Sequence, residues 1–316
     1  MSDPTAEALA LWGLSGASCT FVAGRENRVY KVVAGARAFA LRFKRPGYHS
    51  FAELMSELDW LAEMERAGLK VPKPMPSKGG KLLEEVAGHF VDIVTWVDGA
   101  PIGKTREPLA LEDPIATFSA IGAEMARLHE ACDAWDRPPG FVRCRWDADG
   151  LVGEAPRWGR FWENPTLDAD TRKLLEAFRA QASRDLARLD LDTGLIHADL
   201  VRENVLLDGN VLRLIDFDDG GFGYRLFDIA TALLKNRNEP NYTALKTALV
   251  DGYLAHRPLD IGPLDLFLAL RAVTYVGWIV PRMEEPGAEL RNTRFIKDAQ
   301  DLCSAYLATT SIAKGD

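Results

Sequence analysis

Short apolar runs bounded by turn residues fill the N-terminal third of the chain. Positions 28–33 and 37–43 are rich in Val, Phe, Tyr and Leu, and the small residues at 34–36 separate them. This arrangement predicts a β-hairpin. Positions 82–86 and 89–97 have the same character and predict two more strands. The chain therefore begins, in our interpretation, with a small sheet.

Helical periodicity interrupts this sheet once and then dominates the rest of the chain. Apolar residues recur every three or four positions from 51 to 67, and Gly68 is a suitable helix stop. Downstream, the same spacing predicts helices close to 115–128, 174–189, 226–235, 242–253, 264–283 and 293–307. Short strands are predicted between them at 194–197, 205–207 and 211–215.

The change of pattern predicts two domains. It falls at the turn sequence Asp98-Gly99-Ala100-Pro101, so we place the boundary between residues 98 and 99. The length of 316 residues allows two domains of ordinary size, and an apolar fraction of 47% is enough for a buried core. The predicted fold class is α+β, with a β-rich domain 1–98 that holds one helix and a larger, mostly helical domain 99–316.

Charge and cysteine content narrow the functional classes. A net charge of -8 argues against a nucleic-acid-binding protein, because such proteins are usually basic. The four cysteines form no CxxC pair and fit no zinc signature, so we expect reduced thiols and a cytoplasmic location. The N-terminus lacks a secretory pattern.

The most apolar stretch, residues 264–280, is interrupted by Arg271. It is too short and too mixed for a membrane span. We expect a buried helix here and no contact with a membrane.

A cluster of polar residues between two apolar strands carries the chemistry. His197-Ala198-Asp199 follows one strand, Asn204 comes five positions after Asp199, and Asp216 follows the next apolar run. Phosphoryl transfer requires a carboxylate that accepts the proton of a hydroxyl and oxygen ligands that hold Mg²⁺. The spacing from Asp199 to Asn204 matches the kinase catalytic loop. We therefore predict that Asp199 is the base and that Asn204 and Asp216 are the magnesium ligands.

These segments resemble the aminoglycoside phosphotransferase and choline kinase superfamily. The resemblance lies in residues 197–204 and 215–228 and extends to 26–30, 42–48 and 271–282, where bacterial stress-response kinases and homoserine-kinase-like members are the most similar. It implies a two-lobed, protein-kinase-like fold. The N-terminal lobe would bind the nucleotide, and the C-terminal lobe would carry the catalytic loop and the substrate pocket.

The nucleotide-binding residues depart from the protein-kinase pattern. A full glycine-rich loop is missing, although Asn27 and Arg28 lie in the corresponding region. Arg42 stands where the strand lysine is expected, with Lys44 on the same strand face, and we favour Arg42 as the phosphate contact. Glu57 is the predicted partner of Arg42, and Glu53 is a weaker candidate.

Other site residues are predicted with alternatives. Residues Thr95 to Val97 are the expected adenine hinge. His197 is included among the catalytic residues, more as a brace for the loop than as a chemical group. Arg202 is either a stabiliser of phosphate charge or a surface arginine. Asp218 and Trp278 are predicted substrate contacts, but Asp218 is equally suited to a turn.

The sequence predicts an ATP- and Mg²⁺-dependent phosphotransferase. It would move the γ-phosphoryl group to a hydroxyl of a small molecule such as an amino alcohol, amino acid, sugar or aminoglycoside. No room exists for a long activation loop between Phe217 and Asp228, so we expect a constitutive enzyme. The alternatives are a bacterial stress-response Ser/Thr protein kinase and an inactive nucleotide-binding module. We expect a monomer or a homodimer.

Overall fold

A computed structural model describes residues 4–24 and 27–312. The chain divides into two compact units, and each is assembled from three segments. The first unit consists of Met1–Lys104, Ala134–Arg143 and Glu203–Asp218. The second consists of Thr105–Asp133, Cys144–Arg202 and Asp219–Asp316. The functional division at residues 98 and 99 stays a prediction.

The first unit is built on a five-stranded sheet. Its helices are α1 (Pro4–Leu11) and α2 (Phe51–Arg66). Its strands are β1 (Ser18–Ala23), β2 (Arg28–Ala34), β3 (Arg37–Phe43), β4 (Glu84–Val86), β5 (His89–Thr95) and β6 (Ala100–Pro101), with β9 (Val205–Asp208) and β10 (Val211–Leu214) further along the chain. The sheet order is β1-β2-β3-β5-β4, and all neighbours are antiparallel.

At the end of β3, apolar side chains alternate with charged ones, so the two kinds lie on opposite faces of the sheet. Phe39, Leu41 and Phe43 are buried and join the apolar core of the unit. Since successive side chains of a strand point to opposite faces, Arg42 and Lys44 share the other face. The predicted hairpin of β2 and β3 is confirmed by their antiparallel pairing. Helix α1 and strand β1 were not predicted.

Helix α2 begins with a complete capping box. The Ser50 hydroxyl accepts a hydrogen bond from the Glu53 amide, and the Glu53 carboxylate accepts one from the Ser50 amide. The buried face of the helix carries Leu54, Leu58 and Leu61, and it also carries Glu57 with no exposed surface. The apolar periodicity therefore orients one carboxylate into the interior of the unit.

The second unit is mostly helical. Its helices are α3 (Pro114–Ala134), α4 (Ala148–Val152), α5 (Ala169–Arg188), α6 (Arg225–Leu234), α7 (Tyr242–Leu254), α8 (Leu264–Trp278) and α9 (Ala288–Ile312). Strands β7 (Cys144–Trp146), β11 (Gly221–Tyr224) and β8 (Thr193–Ile196) form a small sheet in the order β7-β11-β8.

Helix α8 is the buried helix that the sequence predicts. All of its residues except Asp265 and Trp278 are buried. The predicted helix at 264–283 is too long, because α8 ends at Trp278 and a 3₁₀ turn follows at Val280–Arg282. Pro281 lacks an N–H and clashes with the preceding turn, which ends a helix. None of the helices in the described part of the chain has the length and apolar character of a membrane span.

Two glycines let helices α3 and α7 cross at very short range. A Cβ added to Gly122 would lie 2.0 Å from the carbonyl oxygen of Leu249. One added to Gly252 would lie 2.0 Å from the carbonyl oxygen of Ser119. The backbones are therefore in direct contact at this crossing.

Candidate active site

A buried charge cluster occupies one face of the sheet in the first unit. Arg42 Nη1 lies 2.8 Å from Glu57 Oε1, and Arg42 Nε lies 2.6 Å from Asp92 Oδ1. Lys44 Nζ lies 2.9 Å from Glu57 Oε2 and 3.6 Å from Asp218 Oδ1. Strand β3 places both cations on one face, and Asp92 lies opposite Arg42 in the register of β3 and β5. The expected pairing of Arg42 with Glu57 is present, and Glu53 is occupied as a helix cap.

The opposite charges of this cluster stabilise the ionised forms of Glu57 and Arg42. Burial alone would raise the pKa of Glu57, but Lys44 and Arg42 hold that pKa well below its ordinary value. Burial alone would lower the pKa of Arg42, but Asp92 and Glu57 raise it above the ordinary value. Glu57 and Arg42 are therefore both ionised, and each charge is buried but compensated.

Arg42 and Lys44 are not equivalent within the cluster. The Lys44 ammonium has three carboxylates within 3.6 Å, those of Glu57, Asp92 and Asp218. Arg42 uses Nε and Nη1 for its two carboxylates, and its Nη2 has no hydrogen-bond partner within the described residues. Arg42 thus keeps a donor for a ligand, whereas Lys44 is a counter-ion for the acids.

Asp218 lies in a turn, as one of the alternatives expected, and its carboxylate is buried in this cluster. It is 6% exposed, and His49 Nε2 lies 3.5 Å from its Oδ2. Burial would raise the pKa of Asp218, but the neighbouring His49 and the charge of Lys44 bring it far below the ordinary value. The amide of Asn27 donates to Asp218 Oδ1 at 3.2 Å. Asn27 therefore anchors the predicted nucleotide loop, whose residues 25 and 26 lie outside the described residues.

The remaining predicted nucleotide contacts are placed as follows. The guanidinium of Arg28 stacks over the ring of Phe43 at 5.0 Å. The amides of Thr95 and Trp96 donate to the carbonyl oxygens of Lys73 and Ala38 and are therefore part of the sheet. Within the described residues, the amide of Val97 has no such backbone acceptor, and its role as the adenine hinge stays a prediction.

Asn204 and Asp216 offer hard oxygen ligands in the first unit. The amide of Ile215 donates to the carbonyl oxygen of Asn204 at 3.0 Å, which fixes Asn204 beside the chain that leads into Asp216. Asp216 is exposed and has a φ of 67°. Within the described residues, no group of three or more His, Cys, Asp or Glu side chains forms a closed metal site. An Asn and an Asp suit Mg²⁺, which takes few protein ligands and completes its shell with phosphate and water.

In the second unit, Asp228 of α6 fixes the catalytic loop after β8. Its carboxylate accepts the amide hydrogens of His197 at 2.8 Å and Ala198 at 2.6 Å. Ala198 has a φ of 63°, a conformation that costs a non-glycine residue energy. His197 is fully buried, and its Nδ1 lies 3.3 Å from the amide nitrogen of Asp199. These contacts favour the bracing role for His197 over a chemical one.

Buried His129 supports Asp228 from helix α3. Its Nε2 lies 3.1 Å from Asp228 Oδ2, and its Nδ1 lies 2.8 Å from the hydroxyl of Tyr253. Burial lowers the pKa of His129 to about 4, although the hydrogen bond with Asp228 acts in the opposite direction. His129 is therefore a neutral structural residue at physiological pH.

Asp199 itself is held by an arginine of helix α8. Arg271 Nη2 donates to Asp199 Oδ1 at 2.8 Å. The side chain of Asp199 is 24% exposed, whereas that of Arg271 is fully buried. A carboxylate that is exposed on one side and held on the other is suited to receive a proton from a bound hydroxyl.

Arg202 is not a surface arginine, so that alternative is wrong. It is 3% exposed because its guanidinium is enclosed by acceptors. Nε donates to Asn236 at 2.8 Å, Nη1 to the carbonyl oxygen of Glu107 at 2.6 Å and Nη2 to Glu239 at 2.5 Å. These contacts favour a structural role in the second unit, and its catalytic role stays a prediction.

Aromatic rings line the buried end of α8. Trp278, the predicted substrate contact, is half-buried, and its ring centroid lies 6.3 Å from that of Trp158 and 6.4 Å from that of Phe295. The Lys235 ammonium lies 3.7 Å above the ring of Tyr275. Contact of Trp278 with a substrate stays a prediction.

Two site residues were missed from the sequence. Asp92 is a lone carboxylate in an apolar strand, and Arg271 is a lone cation in an apolar helix. Since a charge is rarely buried without a partner, each was a signal that a countercharge lies nearby. Neither partner was identifiable, because both pairs join residues that are distant in sequence.

Comparisons with known proteins find phosphotransferases and kinases. The sequence model of the phosphotransferase enzyme family matches residues 19–263. A homoserine kinase from Methylobacillus glycogenes is 29% identical over 242 residues, which are 75% of this chain and 70% of that protein. An amicoumacin kinase from Bacillus subtilis (strain 168) is 27% identical over 235 residues, which are 72% of this chain and 66% of that protein.

Among solved structures, a microcompartment-associated aminopropanol kinase is similar over almost the whole chain. The TM-score is 0.84 at 29% sequence identity, and the likeness covers 96% of this chain and 97% of that chain. The α+β, kinase-like fold class predicted from the sequence is confirmed by this likeness.

Proposed function

The chain belongs to the phosphotransferase enzyme family, and from that premise we propose that it transfers the γ-phosphoryl group of Mg-ATP to the hydroxyl of a small amino alcohol. The observation that carries the proposal is the buried ion pair of Arg42 and Glu57 at 2.8 Å. A cation fixed in this way by a helix carboxylate is the arrangement with which kinases hold nucleotide phosphates.

Residues of the first unit bind and orient the nucleotide in this proposal. Arg42 donates its remaining Nη2 hydrogens to phosphate oxygens, and Glu57 and Asp92 keep its guanidinium in place. Val97 offers its amide to the adenine. Asn204 and Asp216 would hold Mg²⁺, and the bound metal would supply positive charge that compensates the phosphates.

Asp199 of the second unit takes the proton in this proposal. It accepts the hydrogen of the substrate hydroxyl, whose oxygen forms a bond to the γ-phosphorus. The bond from the γ-phosphorus to the bridging oxygen of the β-phosphate breaks, and ADP leaves. Each bond made is balanced by one broken, and no co-reactant is required.

The relatives favour a small acceptor that carries both a hydroxyl and an amine. The names aminopropanol kinase and homoserine kinase share those two groups. The same relatives give no support to a protein acceptor. The intact Asp199, Asn204 and Asp216 favour an active enzyme over a binding module.

The test is transfer of labelled γ-phosphate in the presence of Mg²⁺ to aminopropanol, homoserine, a sugar, an aminoglycoside and casein. We expect transfer to one of the two amino alcohols. Asp199→Asn should lower kcat by about 10³-fold or more and leave the Kd of Mg-ATP unchanged, because it removes the base and keeps the shape. The matched control is Asp190→Asn, since Asp190 is exposed on the surface.

Two results would contradict the proposal. Full activity of Asp199→Asn would remove Asp199 from the mechanism. Transfer to casein with no transfer to any small molecule would favour a protein kinase.

A further inference from the structure

Arg271 is a buried cation whose surroundings are almost entirely aromatic. Its side chain has no exposed surface. The guanidinium carbon lies 4.7 Å from the ring centre of Trp158, 4.4 Å from that of Tyr275 and 5.3 Å from that of Phe227. We define these three rings as the arginine cage. A cation over aromatic faces is stabilised by their negative potential.

Within the described residues, the side-chain hydrogen bonds of Arg271 all come from one nitrogen. Nη2 donates to Asp199 Oδ1 and to the hydroxyl of Tyr275, both at 2.8 Å. Nε and Nη1 have no hydrogen-bond partner in that part of the chain. Asp199 is thus the carboxylate that compensates a fully buried charge.

The burial of this charge needs an explanation. An apolar side chain of similar size would fill the cage and would stabilise helix α8 equally well or better. A buried arginine is therefore costly unless it has another role. Its hydrogen bond to the proposed base supplies one.

We propose that Arg271 is the positioning residue for Asp199, and that the arginine cage holds its guanidinium so that the carboxylate of Asp199 stays in one orientation. This inference rests on the proposed role of Asp199 as base. The rigid helix α8 thereby fixes a residue of the catalytic loop, and the carboxylate need not be reoriented during the reaction.

The two hydrogen bonds from one nitrogen explain the choice of arginine. The guanidinium is planar, so Tyr275 and Asp199 fix its rotation together with the rings. A lysine keeps the charge but presents a freely rotating ammonium. We expect a lysine at position 271 to keep part of the positioning of Asp199 and a methionine to keep none.

The experiment compares Arg271→Met, Arg271→Lys and the control Arg257→Met in the full-length protein. Arg257 of the same unit pairs with Asp192 and Asp133 and takes no part in the proposed mechanism. For Arg271→Met we expect a fall in kcat of roughly 100-fold, the scale of a misplaced catalytic group. The KM of the acceptor and the Kd of Mg-ATP should stay within about 2-fold.

Arg271→Lys should have an intermediate kcat, and Arg257→Met should keep the wild-type kcat. Unchanged kcat in Arg271→Met would overturn the proposal, as would a raised acceptor KM at constant kcat, which is the mark of a substrate contact. If Arg271→Met does not fold, Arg271→Lys decides: a lower kcat with unchanged ATP binding supports the proposal, and wild-type kcat overturns it. The proposed function fails separately, through activity in Asp199→Asn.

Discussion

At the residue scale, Glu57 is the carboxylate on which two buried cations depend. Its two oxygens bind Arg42 and Lys44 separately. Glu57→Gln keeps the shape of the side chain but removes the carboxylate charge that Arg42 and Lys44 share. We expect the free energy of unfolding to fall by roughly 3 kcal/mol, since removal of one partner of a buried ion pair is costly. Urea unfolding at pH 7 measures this loss.

Glu53→Gln is the matched control on the same helix. Glu53 contributes a helix cap at Ser50 and no buried ion pair. A loss of about 1 kcal/mol is expected for an imperfect cap. Equal losses in the two variants would mean that the charge cluster contributes no more to stability than a cap.

Individual site residues could be predicted from the sequence only where the spacing within one short segment indicates a site. Asp199, Asn204 and Asp216 follow from the order of strands and loops within a short segment. Arg271 contacts Asp199 across 72 positions of the sequence, and only the packing of α8 reveals the contact. The same holds for Asp92, which lies 50 positions from Arg42.

At the element scale, the crossing of α3 and α7 depends on the missing side chain of Gly122. A Cβ there would lie 2.0 Å from the carbonyl oxygen of Leu249, so the helices must separate to accept it. Gly122→Ala should lower the free energy of unfolding by roughly 3 kcal/mol, although alanine favours helices. Thermal unfolding followed by far-UV circular dichroism measures the change.

Gly79→Ala serves as the control for that variant. A Cβ at Gly79 meets its nearest atom, Ser77 Oγ, at the ordinary distance of 3.6 Å. We expect a change of no more than about 0.5 kcal/mol, as for most surface substitutions. A similar small change in Gly122→Ala would show that the two helices separate without cost.

Elements with strong periodicity were predicted well, and short or edge elements were missed. Helix α2 and the hairpin of β2 and β3 carry clear apolar patterns. Strand β11 is rich in glycine, and it forms because β7 and β8 supply partners on both sides. Such a strand has little local preference, so its formation depends on tertiary pairing.

At the scale of the whole molecule, buried His129 should make stability depend on pH. Its pKa is about 4 in the folded protein, against an ordinary value of 6.5. Between these values the unfolded chain binds a proton that the folded chain does not, so stability present at pH 7 is lost as the pH falls. We expect the free energy of unfolding to fall by about 2 kcal/mol from this group between pH 7 and pH 5.

The check is urea unfolding at the two pH values for wild type, His129→Gln and His256→Gln. His129→Gln should lose most of this pH dependence, even though it is less stable at pH 7. His256 is exposed, so its replacement should leave the dependence intact. If His129→Gln keeps the wild-type slope, another group causes it. Carboxylates with a lowered pKa, such as Glu57, make stability depend on pH only below about pH 4.5.

The family and the fold class were the easiest features to predict, because the motif in residues 197–216 is typical of one fold. Resemblance to the aminoglycoside phosphotransferase superfamily and the kinase-like fold are confirmed by the family match and by the likeness to the aminopropanol kinase. The acceptor was not predictable, because no local motif in the sequence defines a substrate pocket.

The left-handed backbone of Ala198 has a consequence for how this enzyme evolves. Glycine adopts that conformation without strain, and a substitution there would change no side chain with a proposed role in the reaction. A single substitution at this position would therefore relieve backbone strain. A substitution near α8 that alters acceptor choice but weakens the fold can be tolerated once Ala198 has become glycine. The loop that holds Asp199 would then, through a change of its backbone strain alone, allow the protein to acquire new substrates.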